Sequence, residues 1–166
     1  MFEVGDYVIY GTNGVCQVES VGKMNSSIMD NKREYYTLVP FYSKTGKIYV
    51  PVDSEKVFIR KILSKEEAVS FIDEIKDIEK LWVADEKTRE NTYKEALRKH
   101  DCREYMRIIK TIYSRKEERI SENKKVTATD ERYFRMAKEQ LYGELAVSLS
   151  IEKEDVQAYI LNRVKG

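Results

Sequence analysis

A single histidine, His100, and two distant cysteines, Cys16 and Cys102, are all the imidazole and thiol in 166 residues. They leave no zinc-ligand spacing and no histidine-activated nucleophile, so the familiar catalytic constellations are missing. Thiols so far apart, in segments of different character, suit reduced cysteines better than a disulfide framework. Long apolar runs are absent too. Uncharged stretches such as Tyr35–Ser43 contain polar residues and fall far short of the roughly 18 apolar residues of a membrane span. The first residues, Met1-Phe2-Glu3-Val4-Gly5-Asp6, put an acid where a signal peptide has its basic region. A cytoplasmic protein is expected, with no metal and no small-molecule cofactor. Carboxylate pairs such as Glu66/Glu67 and Asp73/Asp77 fall on predicted exposed helix faces without an apolar pocket to shift a pKa, so an enzyme is not expected.

What is present is an ionic chain with enough apolar material for a core: 42% hydrophobic, 36% charged, net charge +1. Punctuation divides it near residue 63. Both prolines (Pro40, Pro51) and five of the seven glycines lie before that point. There the runs Tyr7–Tyr10, Val15–Val21, Tyr35–Val39, Lys47–Pro51 and Val57–Ile59 alternate β-branched and aromatic residues between turn formers, as short antiparallel strands do. Five such strands in about 60 residues imply a small closed or half-open barrel. Lys44-Thr45-Gly46-Lys47 reads as a hairpin turn and Asn25 to Lys32 as a longer loop.

From Ser64 the period becomes helical. Ser64 with Glu67 forms a capping box, and Ala68, Phe71, Ile72, Ile75 and Ile78 continue one face. A second helix is predicted over Asp85 to Lys99, with Tyr93, Ala96 and Leu97 inward. Asp101 with Glu104 caps a third, which carries Tyr105, Ile108, Ile109, Ile112 and Tyr113. Thr127 or Thr129 caps a fourth, with Phe134, Ala137, Leu141 and Leu145 inward. A fifth, about Glu152 to Arg163, presents Val156, Tyr159, Ile160 and Val164. The fold class expected is thus α+β in two domains, residues 1–63 and 64–166, the second an all-α bundle of about five helices.

Charge is segregated along this neutral chain. Residues 64–90 hold 5 basic and 9 acidic side chains, whereas residues 91–125 hold 11 and 6. Lys87, Asn91, Lys94 and Arg98 on the second helix, and Arg103, Arg107, Lys110 and Ser114 on the third, each make one stripe opposite the apolar face. Either the stripes grip phosphates, or they are the solvated faces that any helix in so ionic a protein needs. Gripping roughly three to five phosphates gives weak, salt-sensitive binding, so another partner has to place the domain on nucleic acid. The open edge of the strand domain is a natural docking rail for it.

Two aromatic features have open readings. Trp82 follows Ile78 by four positions and either extends the apolar face of the first helix or presents an amphipathic ring to exposed bases. Tyr35, Tyr36, Phe41, Tyr42 and Tyr49 are either strand core and face or an aromatic cage for a cation. The second pair of alternatives supports a rival function: a peptide- or modified-ligand-binding adaptor whose helices form a dimer interface.

Val4-Gly5-Asp6-Tyr7-Val8-Ile9-Tyr10, Gly14-Val15-Cys16-Gln17-Val18 and Tyr49-Val50-Pro51-Val52, followed by a helical half with Ala137-Lys138 and Gly143-Glu144-Leu145-Ala146, resemble the CarD/CdnL family of bacterial transcription regulators. The resemblance implies a Tudor-like (SH3-like) N-terminal domain that binds the β subunit of RNA polymerase. It also implies a helical domain that touches promoter DNA at the upstream edge of the bubble, modulating open-complex stability, and association with the nucleoid through polymerase. The implied polymerase-facing residues are Lys23, Met24, Lys47 and Tyr49, with arginines in well-known members at the equivalents of Met24 and Tyr49. For DNA the resemblance implies Lys94 as a phosphate binder; Lys87, Asn91 and Arg98 join it as candidates from the spacing of the stripe, and Arg89 and Trp82 from the question of the wedge. Family members carry a wedge tryptophan one helical turn before a Tyr-Lys pair. Here Tyr93-Lys94 matches and Arg89 occupies the wedge position, so Arg89 serves as a cation, Trp82 serves from upstream, or no wedge operates.

Overall fold

The computed structural model describes residues 1–23, 32–43 and 46–165. It divides into two units, Met1–Ile62 and Leu63–Gly166, which make an α+β protein: a five-stranded antiparallel sheet followed by five α-helices among the described residues.

The alternating residues of the first unit form β1 (Tyr7–Tyr10), β2 (Val15–Lys23), β3 (Glu34–Pro40), β4 (Ile48–Pro51) and β5 (Ile59–Lys61). The order is β4-β3-β2-β1-β5, so the sheet is open, with β4 and β5 as its edges. Val8, Cys16, Val18, Tyr36, Leu38 and Val50 form its core. Burial there pushes the Cys16 thiol up to about 11, which keeps it protonated and inert. The last strand begins two residues later than the sequence predicts. Phe58 already lies past the end of β1, its carbonyl accepting from the Gly11 N–H at 2.9 Å, and ladder pairing starts only at Ile59 opposite Tyr10. Of the expected turn at Lys44–Lys47 only Gly46 and Lys47 are described, Gly46 at φ +76°, a conformation that suits glycine. The loop expected at Asn25 to Lys32 lies outside the described residues except for Lys32.

In the second unit α1 (Lys65–Asp73) starts on the expected capping box, Ser64 and Glu67 exchanging bonds of 2.9 and 3.1 Å. The helix stops earlier than its apolar period does. Ile75–Asp77 form a single 3-10 turn and Ile78 is extended, yet Ile75 and Ile78 are still buried in the core. Four acids, Asp73, Glu74, Asp77 and Glu79, crowd the end where the helix dipole disfavours negative charge. The freed carbonyls find another donor, described below.

Helix α2 (Glu86–Arg98) is capped by Asp85 and ends at His100, which sits in the left-handed region at φ 49°. Helix α3 (Cys102–Ser121) is capped by Asp101 through the Arg103 N–H. It buries Tyr105, Ile108 and Ile112, together with Met106 and Thr111, while Tyr113 points out to solvent. Helix α4 (Ala128–Leu149) is capped by Thr127. Helix α5 (Val156–Lys165) follows a 3-10 turn and is tied to α1 by Arg163, whose guanidinium meets both carboxylate oxygens of Asp73 at 2.7 and 3.0 Å. Val156 and Ile160 anchor α5, and Val164 near its end is exposed. None of these helices is long and apolar enough to cross a membrane.

Candidate functional site

The segment joining α1 to α2 carries Trp82, and α3 fixes its course. Lys110 Nζ donates to the carbonyls of Ile75 and Ile78, the latter at 2.7 Å, taking up oxygens that a longer α1 would have used. Arg107 Nε donates to the Glu79 carbonyl at 3.3 Å and Lys80 Nζ to Ser114 Oγ at 3.2 Å. Thr111 Oγ1 donates to the Arg107 carbonyl at 2.6 Å and accepts from the Leu81 N–H at 2.8 Å. Burial draws the Lys110 ammonium below the ordinary lysine pKa, and Asp77 pulls it the other way. Trp82 itself is 80% exposed. The core reading of Trp82 is therefore corrected: the helix that would have turned it inward ends nine residues before it. A tryptophan carries roughly 150–250 Å² of surface. At about 25 cal/mol per Å², leaving most of it in water forgoes roughly 3 to 5 kcal/mol.

On α2 the polar residues divide into two groups. Lys87, Asn91, Lys94 and Arg98 are exposed. Lys94 lies 3.8 Å from the half-buried Glu90, and Arg98 2.8 Å from Glu95, an exposed pair of little energy. Arg89 belongs to the other group. Its side chain is only 19% exposed, and its guanidinium is shared between Glu86 at 2.9 Å and the Tyr93 hydroxyl at 3.2 Å. Tyr93 donates to Asp130 Oδ1 at 2.9 Å, Asp130 Oδ2 lies 3.5 Å from Arg115 Nε, and Arg115 returns to Glu86 at 3.1 Å. This closed ring joins α2, α3 and α4. Burial raises the Tyr93 phenol above its ordinary value, Asp130 adding to the rise and Arg89 opposing it. Two bonds thus occupy the side chain that would have to leave the surface to enter a groove.

In the sheet unit the register between β2 and β3 shifts between Val18 and Ser20, so Glu19 is the extra residue of a bulge. Glu19 pairs with Lys47 at 3.1 Å, ahead of edge strand β4. Residues 2–63 match the family model of the CarD-like/TRCF RID domain. The match covers the whole sheet and ends where the helical unit begins. No curated protein matches the chain. Within the CarD-like domain, Tyr49 is partly exposed on β4 opposite Thr37, and Lys23 is exposed at the end of β2 opposite Glu34. Lys23, Lys47 and Tyr49 therefore flank β3 on either side; Met24 lies outside the described residues. The five aromatic residues weighed as a cage separate: Tyr35 and Tyr36 are buried, while Phe41, Tyr42 and Tyr49 are exposed. The Phe41 ring meets the rings of Tyr7 and Tyr42 edge-on, at 5.8 and 4.8 Å.

Two buried carboxyl groups on α4 escaped the sequence reading. Asp130 closes the ring just described. Glu144, also fully buried, accepts from the Leu63 N–H at 2.9 Å and from the Cys102 thiol at 3.2 Å. Both lie seven residues from Ala137, one on each side, and so on the apolar stripe itself. An acid at an inward position was the available signal. Among the described residues no group of three His, Cys, Asp or Glu side chains is arranged to hold a metal ion.

Proposed function

We propose that this protein is a non-enzymatic transcription regulator. Its CarD-like domain docks on the β subunit of RNA polymerase, and its helical unit contacts promoter DNA at the upstream edge of the bubble. The family match of residues 2–63 supports a polymerase partner. The observation that carries the DNA reading is Trp82, held 80% exposed on a segment that hydrogen bonds fix to α3. Exposed Lys87 follows in the first turn of α2, and Lys94 and Arg98 continue its outer face. An amphipathic ring beside cations suits a site where bases unstack and phosphates stay close.

Docking supplies what the few cations lack. Tethered to polymerase through open edge β4 and the residues Lys23, Lys47 and Tyr49, the helical unit meets promoter DNA at an effective concentration of about millimolar, where weak phosphate contacts suffice. Promoter opening is favoured by the difference between contacts to open and closed DNA, and equal contacts shift nothing. A difference of about 1.4 kcal/mol changes the ratio tenfold. Trp82 is the group that makes this difference, because a ring stacks on bases at lower cost where their own stacking is already broken.

The test uses full-length protein with core polymerase and a promoter fragment. Trp82→Ala, and separately Lys94→Glu with Arg98→Glu, should still co-purify with polymerase and should lose the effect on open-complex lifetime. Wild-type lifetimes with both variants overturn the DNA reading, and failure of the wild-type protein to co-purify with polymerase overturns the docking reading.

A further inference from the structure

We propose that Lys110 and Thr111 are positioning residues that hold Trp82 in solvent for its nucleic-acid partner, so that Lys110 works as a structural cation and not as a phosphate contact. The proposal rests on the reading of Trp82 as a DNA contact and adds what places it there.

Arg107, Lys110, Thr111 and Ser114 follow one another at intervals of three, one and three, which puts them on one face of α3. All four side chains reach residues 75–81, Arg107 also bonding Glu104 on its own helix. Lys110 holds the chain just past the end of α1 through the carbonyls of Ile75 and Ile78, the first of which also accepts from the Ile78 N–H. Thr111 fixes the backbone at Leu81, whose side chain packs on the helical core. Burial then alternates: Leu81 and Val83 are partly covered, Trp82 and Ala84 exposed. Fixing Leu81 inward therefore sends Trp82 outward. Downstream, the Asp85 cap and the bond from Arg115 to Glu86 hold the other end of the segment. Without the upstream fixation nothing opposes the gain from folding an indole back onto apolar surface.

The test is made on the full chain with Lys110→Met, which keeps the apolar stem, and with the milder Thr111→Val. Trp82 is the only tryptophan and reports on itself. With the circular dichroism spectrum unchanged, the variants should shift Trp82 emission to the blue and cut its acrylamide quenching at least twofold. Affinity for a duplex with a short unpaired bubble should fall about tenfold, and Thr111→Ser, which keeps the hydroxyl, should restore all three. The slope of log affinity against log salt should stay at its wild-type value. A slope shallower by about one makes Lys110 a phosphate contact and overturns the proposal. So does wild-type quenching in both variants. In the Trp82→Ala background Lys110→Met should cost no further affinity; a further tenfold loss there also overturns it. If Trp82→Ala alone binds the bubble duplex as tightly as wild type, the DNA reading fails instead, and quenching still decides whether α3 fixes the ring.

Discussion

Helix α2 carries Lys87, Asn91, Lys94 and Arg98, and α3 carries Arg103, Arg107, Lys110 and Ser114, at the same spacing in sequence. On α2 the set stays in solvent; among the described residues Lys94 pairs with the half-buried Glu90 and Arg98 with the exposed Glu95. On α3 it faces protein: Arg107, Lys110 and Ser114 bond to the chain between α1 and α2, and Arg103 reaches toward Glu74 at 3.8 Å. Helical periodicity says which residues share a face and nothing about what lies against that face. A cation opposite an apolar stripe is a phosphate contact only if no backbone carbonyl reaches it first.

The largest effect should come from the ring that joins the two helices to α4. Asp130→Ala leaves Arg115 and the Tyr93 hydroxyl without their buried partner, and should cost about 3–5 kcal/mol in urea unfolding of the helical unit. A loss below about 1 kcal/mol would make the ring an incidental surface arrangement. Next comes the direct contrast between helices. Lys110→Met should cost about 1–3 kcal/mol, because two carbonyls lose a charged donor. Lys94→Met should stay within about 0.5 kcal/mol. Equal losses would erase the difference between the stripes.

The smallest effect concerns an exposed pair. A hydrogen bond from Arg163 holds Asp73 below its ordinary value of 3.8, with the charges of Arg163 and Lys76 helping and desolvation opposing. A carboxylate with a lowered folded pKa stabilises the fold above its unfolded pKa and loses that contribution as pH falls through the folded one. Amide shifts along α5 should therefore report loosening only in acid, below pH about 4, and Asp73→Asn should remove the transition. The same acid transition in the Asn variant would assign it to another group.

Much of the architecture was legible before the structure. Ser64, Asp101 and, of the two threonines offered, Thr127 cap the helices they were expected to cap, and Asp85, read as the first residue of the second helix, is its cap. The strands followed from alternation, which one ladder enforces on its neighbour. Three misreadings share a cause. Helix one was extended through Ile78 because its apolar period continues, although the chain turns at Ile75–Asp77 and a lysine on a distant helix holds the carbonyls of Ile75 and Ile78 there. Tyr113 was turned inward because it stands eight residues after Tyr105 on the apolar period, although it lies at the edge of that face and is exposed. The α3 stripe was read as free cations because spacing omits the tertiary partner. The candidate site proposed here was legible in part: Trp82 stood out by its rarity and the α2 cations by their spacing. The roles of Asp130 and Glu144 were not legible, since a buried acid is tolerable only through partners 15 to 81 residues away.

Glu144 has a consequence for the order in which the chain comes to rest. The first amide of the helical unit, at Leu63, is satisfied by a residue that leaves the ribosome 81 positions later. The ladders of the sheet unit pair residues that all lie within 1–62. During synthesis the first half can therefore finish while α1, α2 and α3 wait, unlatched, for the late carboxyl group that completes them.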